Sequence, residues 1–110
     1  MSSEKRKFKR HETTHFVWYQ TIELDGAQPA SGLSYLADVS VGGLGLVVPN
    51  PLRSGALVFM KAVFVNPDHS LSAVGRIAYC RETPDKNFAV GIEFVAVPPD
   101  SQKFLAENYR

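Results

Sequence analysis

A single cysteine, Cys80, rules out an intramolecular disulfide and any cysteine-based structural zinc site. Histidine is almost as scarce. His11, His15 and His69 show no metal-ligand spacing, and the two that stand four apart fall where no regular helix is expected. Long apolar runs are missing too. The most apolar stretch, residues 57–65, is interrupted by Lys61 and is far shorter than the roughly 20 residues a membrane helix needs. No apolar stretch of signal-peptide type follows the basic N-terminus. Membrane insertion is therefore not expected, and the cytoplasm is the expected compartment. No nucleophile–base–orienter set, paired-carboxylate site or metal cluster stands out, so neither catalysis nor a resident cofactor is expected. Repeats and low-complexity tracts are absent, as is the strand–helix alternation of a doubly wound nucleotide fold.

What is present fits one small domain. The chain has 110 residues, of which 45% are apolar, enough for a single modest core. Its net charge of +1 conceals an asymmetry. Residues 1–11 hold five Lys/Arg (Lys5, Arg6, Lys7, Lys9, Arg10) against Glu4, a net of +4, whereas residues 12–110 hold seven against ten Asp/Glu, a net of −3. A basic arm over residues 1–12, low in apolar residues and expected to be flexible without a ligand, thus precedes a mildly acidic body over 13–97. Such an arm attracts phosphate, on nucleic acid, lipid or a small ligand, or simply solvates the chain.

The body reads as six short strands. In residues 16–24, Phe16, Trp18, Ile22 and Leu24 share one parity with Gln20, an alternation broken at Val17 and Tyr19. Residues 33–39 form a second strand with Leu33, Tyr35, Ala37 and Val39 on one face. Further strands are expected over 44–48, 57–65, 71–81 and 88–95, divided by Pro49-Asn50-Pro51, Asn66-Pro67-Asp68 and Thr83-Pro84-Asp85. After Pro98-Pro99 a short helix over 101–108, within a terminal segment 98–110, is expected. Asp100 or Ser101 would cap it, and Phe104, Leu105 and Tyr109 would face the body. Six strands with mostly short connections indicate an all-β, six-stranded antiparallel Greek-key-like barrel or sandwich.

Two signatures carry chemistry. Arg6-Lys7-Phe8-Lys9-Arg10 reads R-x-x-x-R, and Asp38-Val39-Ser40-Val41-Gly42-Gly43 reads D-x-S-x-x-G. A guanidinium fork matches two phosphate oxygens or the O6 and N7 acceptors of guanine, and its flat face stacks on a base. A carboxylate at Asp38 is suited to guanine's adjacent N1–H and N2 amine donors, a pair adenine lacks. Ser40 adds a hydroxyl that donates and accepts, and Gly43 allows positive φ or close approach of backbone to ligand. Each signature alone has an ordinary alternative: a solvated basic stretch, and an Asx- or Ser-turn leading into a glycine bend. The 27 residues between them (11–37) suffice for one strand, a turn and most of a second strand, a path that could bring the arm back beside Asp38.

With both signatures in order, the sequence resembles the PilZ domain family, known for R-x-x-x-R and [DN]-x-S-x-x-G on a small six-stranded antiparallel barrel. Gly75-Arg76-Ile77-Ala78-Tyr79-Cys80-Arg81 looks like that family's late strand, and Phe88-Ala89-Val90-Gly91-Ile92-Glu93-Phe94 like its final G-x-x-F strand. The resemblance implies a receptor for cyclic di-GMP. It assigns Arg6 and Arg10 to phosphates and guanine faces or edges, Asp38 and Ser40 to a guanine, and Gly43 to the turn. Lys5 takes the position before the first arginine, where ligand stoichiometry is influenced, and leaves it open. Tyr79 and Arg81 are further candidates, with a place in the core an equal alternative for Tyr79. The implied role is an adaptor that orders its arm on binding and signals to a protein partner in motility or exopolysaccharide control. The alternatives are a nucleotide-independent interaction module and a nucleic-acid-binding barrel, the latter disfavoured by the acidic body.

Overall fold

A computed structural model describes residues 15–65 and 68–109. Six strands, β1 (Phe16–Ile22), β2 (Ser31–Ser40), β3 (Gly43–Val48), β4 (Leu57–Phe64), β5 (His69–Glu82) and β6 (Phe88–Ala96), precede one helix, α1 (Pro99–Asn108). All pairings are antiparallel, and the strands close into a barrel in the order β1-β2-β3-β6-β5-β4. Chain neighbours pair except where β3 passes to β4 on the far side of β1, the Greek-key crossing. Closure leaves none of these strands with an unpaired edge. The all-β barrel expected from the sequence is the observed fold.

Within the barrel, inward positions alternate with outward ones. Leu44, Leu46 and Val48 of β3 and Val58, Met60, Ala62 and Phe64 of β4 are buried with Leu71, Ile77, Val90 and Ile92. On β1 and β2 the inward faces are the opposite of those the apolar alternation suggested. Val17, Tyr19 and Thr21 are buried on β1, while Phe16 and Trp18 lie on the outer surface. Ser34 and Leu36 are buried on β2, while Leu33 and Tyr35 are more than half exposed. The reason is that both faces of these strands carry large apolar side chains, so alternation alone does not choose between them. The polar Ser34 is tolerated inside because its hydroxyl donates to the Val47 carbonyl at 2.6 Å.

The helix closes one end of the barrel. As expected, Phe104 and Leu105 on the helix and Tyr109 at its C-cap are buried against the body. Its start differs from expectation: Pro98 is the N-cap with no side-chain cap bond, and Pro99 opens the first turn. Ser101 does not cap; it is buried, and its hydroxyl sits 2.8 Å from His69 Nε2.

Candidate functional site

Two irregularities in the sheet build the site. β2 bulges between Leu36 and Asp38, so that Leu36 pairs with Leu46 and Asp38 with Gly45. β5 bulges between Ile77 and Tyr79, so that Ile77 pairs with Ile92 and Tyr79 with Gly91. Regular alternation from the buried Leu36 and Ile77 would send Asp38 and Tyr79 into the core. The extra residue in each strand turns both outward. Asp38 and Tyr79 are accordingly exposed, Tyr79 by 44%. Tyr79 is therefore a surface residue of the site, not a core residue.

Two parallel rows then run across the outer wall. The first is Asp38 on β2, Gly45 on β3, Gly91 on β6 and Tyr79 on β5. The second, one outward position further along, is Ser40, Gly43, Glu93 and Arg76 on the same four strands. Glycines floor the space between the flanking side chains. The Asp38 carboxylate leans over Gly45, where an added Cβ would lie 2.8 Å from Oδ1. The Tyr79 ring covers Gly91 so closely that an added Cβ would overlap it. At Gly43 an added Cβ would overlap the Ile92 carbonyl of β6. Gly43 thus serves a close approach of strand to strand, and its φ is not positive.

The result is an open trough of about 250 Å³ bordered by Asp38, Ser40, Tyr79 and Glu93. Its turn is held by the Gly42 N–H, which donates to Ser40 Oγ at 3.2 Å, and by the Gly42 carbonyl, which accepts from Phe94 N–H at 2.9 Å. Ser40 therefore does make the local turn, as an acceptor through its Oγ. The Arg81 guanidinium stacks on Tyr79, 4.8 Å from the ring centroid. Asp38, Ser40, Gly43 and Tyr79 are thus gathered in one place, with Arg81 at its border. Lys5, Arg6 and Arg10 lie outside the described residues.

Gly45, Gly91 and Glu93 were not singled out from the sequence as site residues. For the two glycines the one sequence signal is that they interrupt runs otherwise rich in Val, Ile and Leu, which in a strand marks close approach of something else; Glu93 offers none. Among the described residues no cluster of three or more His, Cys, Asp or Glu is placed to hold a metal ion. None of the described helices is long and apolar enough to cross a membrane.

Comparison with known proteins follows the same line. Several solved structures are similar in fold, among them the following three. The Bacillus subtilis inhibitor of motility MotI/DgrA has a TM-score of 0.70 at 17% identity, over 94% of this chain and 48% of that one. Escherichia coli YcgR, solved in complex with c-di-GMP, has a TM-score of 0.67 at 17% identity, over 94% and 43%. MrkH of K. pneumonia in its apo state has a TM-score of 0.67 at 16% identity, over 94% and 48%. The chain spans just under half the length of these proteins. No curated protein sequence matches it. The sequence matches the PilZ domain profile over residues 4–109, nearly end to end, and the chain belongs to the PilZ domain family.

Proposed function

We propose that the protein is a cyclic di-GMP receptor that acts as a signalling adaptor in the cytoplasm, by binding and not by catalysis. The observation that carries this reading is the glycine-floored trough with the Asp38 carboxylate at its rim. Its acceptor group, its aromatic wall at Tyr79 and its flat floor suit a planar base with adjacent N–H donors. A relative of the same fold, YcgR, was solved with c-di-GMP.

The trough is smaller than the roughly 300–1,000 Å³ typical of sites that enclose a whole ligand. One base fits, and the phosphates need other partners. Arg6 and Arg10 are proposed to supply them, with Lys5 beside them. Arg10 is five residues from His15, a span of at most about 18 Å. The His15 carbonyl accepts from Leu36 N–H at 2.9 Å, two residues from Asp38, so the arginines are within reach of the trough. Fixing residues 5–11 against the barrel costs roughly 1–2 kcal/mol per residue. Several charge-assisted hydrogen bonds at about 1.5–3 kcal/mol each offset that cost. The new surface then addresses a protein partner, in control of motility or exopolysaccharide.

Isothermal titration of the intact chain with cyclic di-GMP tests the reading. Arg6→Ala should nearly abolish binding, and Asp38→Ala should reduce selectivity for guanine. No heat and no chemical-shift change at near-millimolar nucleotide would overturn it. One observation favours a second reading, a protein-interaction module that needs no nucleotide: Phe16, Trp18, Leu33 and Tyr35 are all exposed on the outer faces of β1 and β2. The same titration separates the two.

A further inference from the structure

The trough holds a second carboxylate. Glu93 stands on β6 opposite Gly43, in the row next to that of Asp38. Strand spacing near 4.8 Å and a rise near 3.4 Å per residue place the Asp38 and Glu93 Cα atoms roughly 12 Å apart, diagonally across the glycine floor. Asp38 already leans inward over Gly45, and carboxylates extended toward each other across that span can close on a single amine, whose two hydrogens need acceptor oxygens about 5 Å apart. No Lys or Arg is among the described residues that line the trough. Two anionic groups with no cation between them repel phosphate and attract hydrogen-bond donors.

Among the described residues the Glu93 side chain is not otherwise engaged. Arg76 faces it in register on β5, yet the Glu93 carboxylate makes no ion pair or hydrogen bond with any of them. Guanine offers three donor hydrogens on one edge, one on N1 and two on the N2 amine. A single carboxylate accepts the N1 hydrogen and the nearer amine hydrogen. The second amine hydrogen points away, toward the N3 side of the base.

We propose that Glu93 is a specificity-determining residue that accepts this second N2 hydrogen, so that Asp38 and Glu93 grip the amine from both sides. The proposal rests on the cyclic di-GMP reading and extends it. It makes the trough select guanine over hypoxanthine, which keeps N1–H and O6 and lacks only the amine, as well as over adenine.

The experiment is a titration of the intact chain, Glu93→Ala, Glu93→Gln and, on α1 away from the trough, Glu107→Ala, each with cyclic di-GMP and with its inosine counterpart, after thermal melts have shown each variant folded. The wild type should prefer the guanine ligand. Glu93→Ala should narrow that preference about tenfold, with the loss falling on cyclic di-GMP and affinity for the inosine ligand kept. Glu93→Gln, whose amide oxygen still accepts, should recover part of it. Glu107→Ala, which removes a carboxylate outside the trough, should leave the preference as it is. An unchanged preference in Glu93→Ala, an equal loss for both ligands, or the same narrowing in Glu107→Ala would overturn this role while the receptor reading stands. Absence of any cyclic di-GMP binding by the wild type would overturn both.

Discussion

Gly43 and Gly91 are both kept small by close neighbours, but the neighbours differ in kind. At Gly43 the obstacle is the backbone carbonyl of Ile92, part of a hydrogen-bonded ladder that gives way only if β3 and β6 separate. At Gly91 it is the ring of Tyr79, a half-exposed side chain with room to swing toward solvent. Gly43→Ala should therefore destabilise the barrel by about 2 kcal/mol, a fall of several degrees in melting temperature. Gly91→Ala should melt close to the wild type, with the Tyr79 ring displaced and cyclic di-GMP binding weakened. Thermal melts alongside the titration check both, and a larger stability loss at Gly91 than at Gly43 would contradict the argument. At this scale the sequence was half legible. Asp38, Ser40 and Gly43 fall within one six-residue stretch, so their chemistry could be read as one pattern. Gly91 and Glu93 are about fifty residues away, and only strand pairing brings them to the same trough.

At the scale of the element, the alternation of strands was legible and its phase was not. Turn residues such as Pro49-Asn50-Pro51 and Thr83-Pro84-Asp85 marked where strands stop. On β1, however, both parities are apolar or aromatic, and the buried side is the one with Val17, Tyr19 and Thr21. The bulges at Leu36/Asp38 and Ile77/Tyr79 shift parity in mid-strand, which a strict period of two does not anticipate. The β5–β6 turn shows how local chemistry fixes such an element. Thr83 N–H donates to the Asn87 carbonyl at 2.8 Å and Lys86 N–H to the Thr83 carbonyl at 3.0 Å. The Thr83 hydroxyl donates to the Asp85 carboxylate, which, as the main cause, holds that carboxyl below its ordinary value of 3.8. A lowered folded value means that this contribution is complete above the unfolded value and is lost as pH falls through the lower, folded one. Replacing Thr83 by Val removes the donor, so the Asp85 carboxyl should titrate closer to 3.8 when followed by NMR. Titration unchanged from the wild type would show that the hydroxyl is not the cause.

On the scale of the whole molecule, closing the sheet solves one problem and creates another. A closed barrel leaves no strand edge to pair with other chains, but its ends open onto the core. At one end α1 provides the cover. Phe64, the largest fully buried side chain among the described residues, lies 5.1 Å from Phe104 and 5.6 Å from Tyr109 between ring centroids. His15 packs edge-on against Phe64 at 5.1 Å, and His69 stacks flat on Phe104 at 4.2 Å. The His69 ring is held in turn by the buried Ser101 hydroxyl at 2.8 Å. The aromatic cover therefore joins the start of β1, the end of β4, the start of β5 and the helix. The trough lies on the outer wall, built by β2, β3, β5 and β6, and none of its lining comes from α1. Stability and ligand recognition are thus separable. Phe104→Ala should cost about 3 kcal/mol of stability, because the rings around it leave a cavity the strands are too constrained to fill. If the protein is the proposed receptor, the variant should nevertheless match the wild type in cyclic di-GMP titrations at temperatures where it is still folded. Circular dichroism melts paired with titration at low temperature measure both quantities, and a variant that melted like the wild type would show that the helix does not anchor the barrel end.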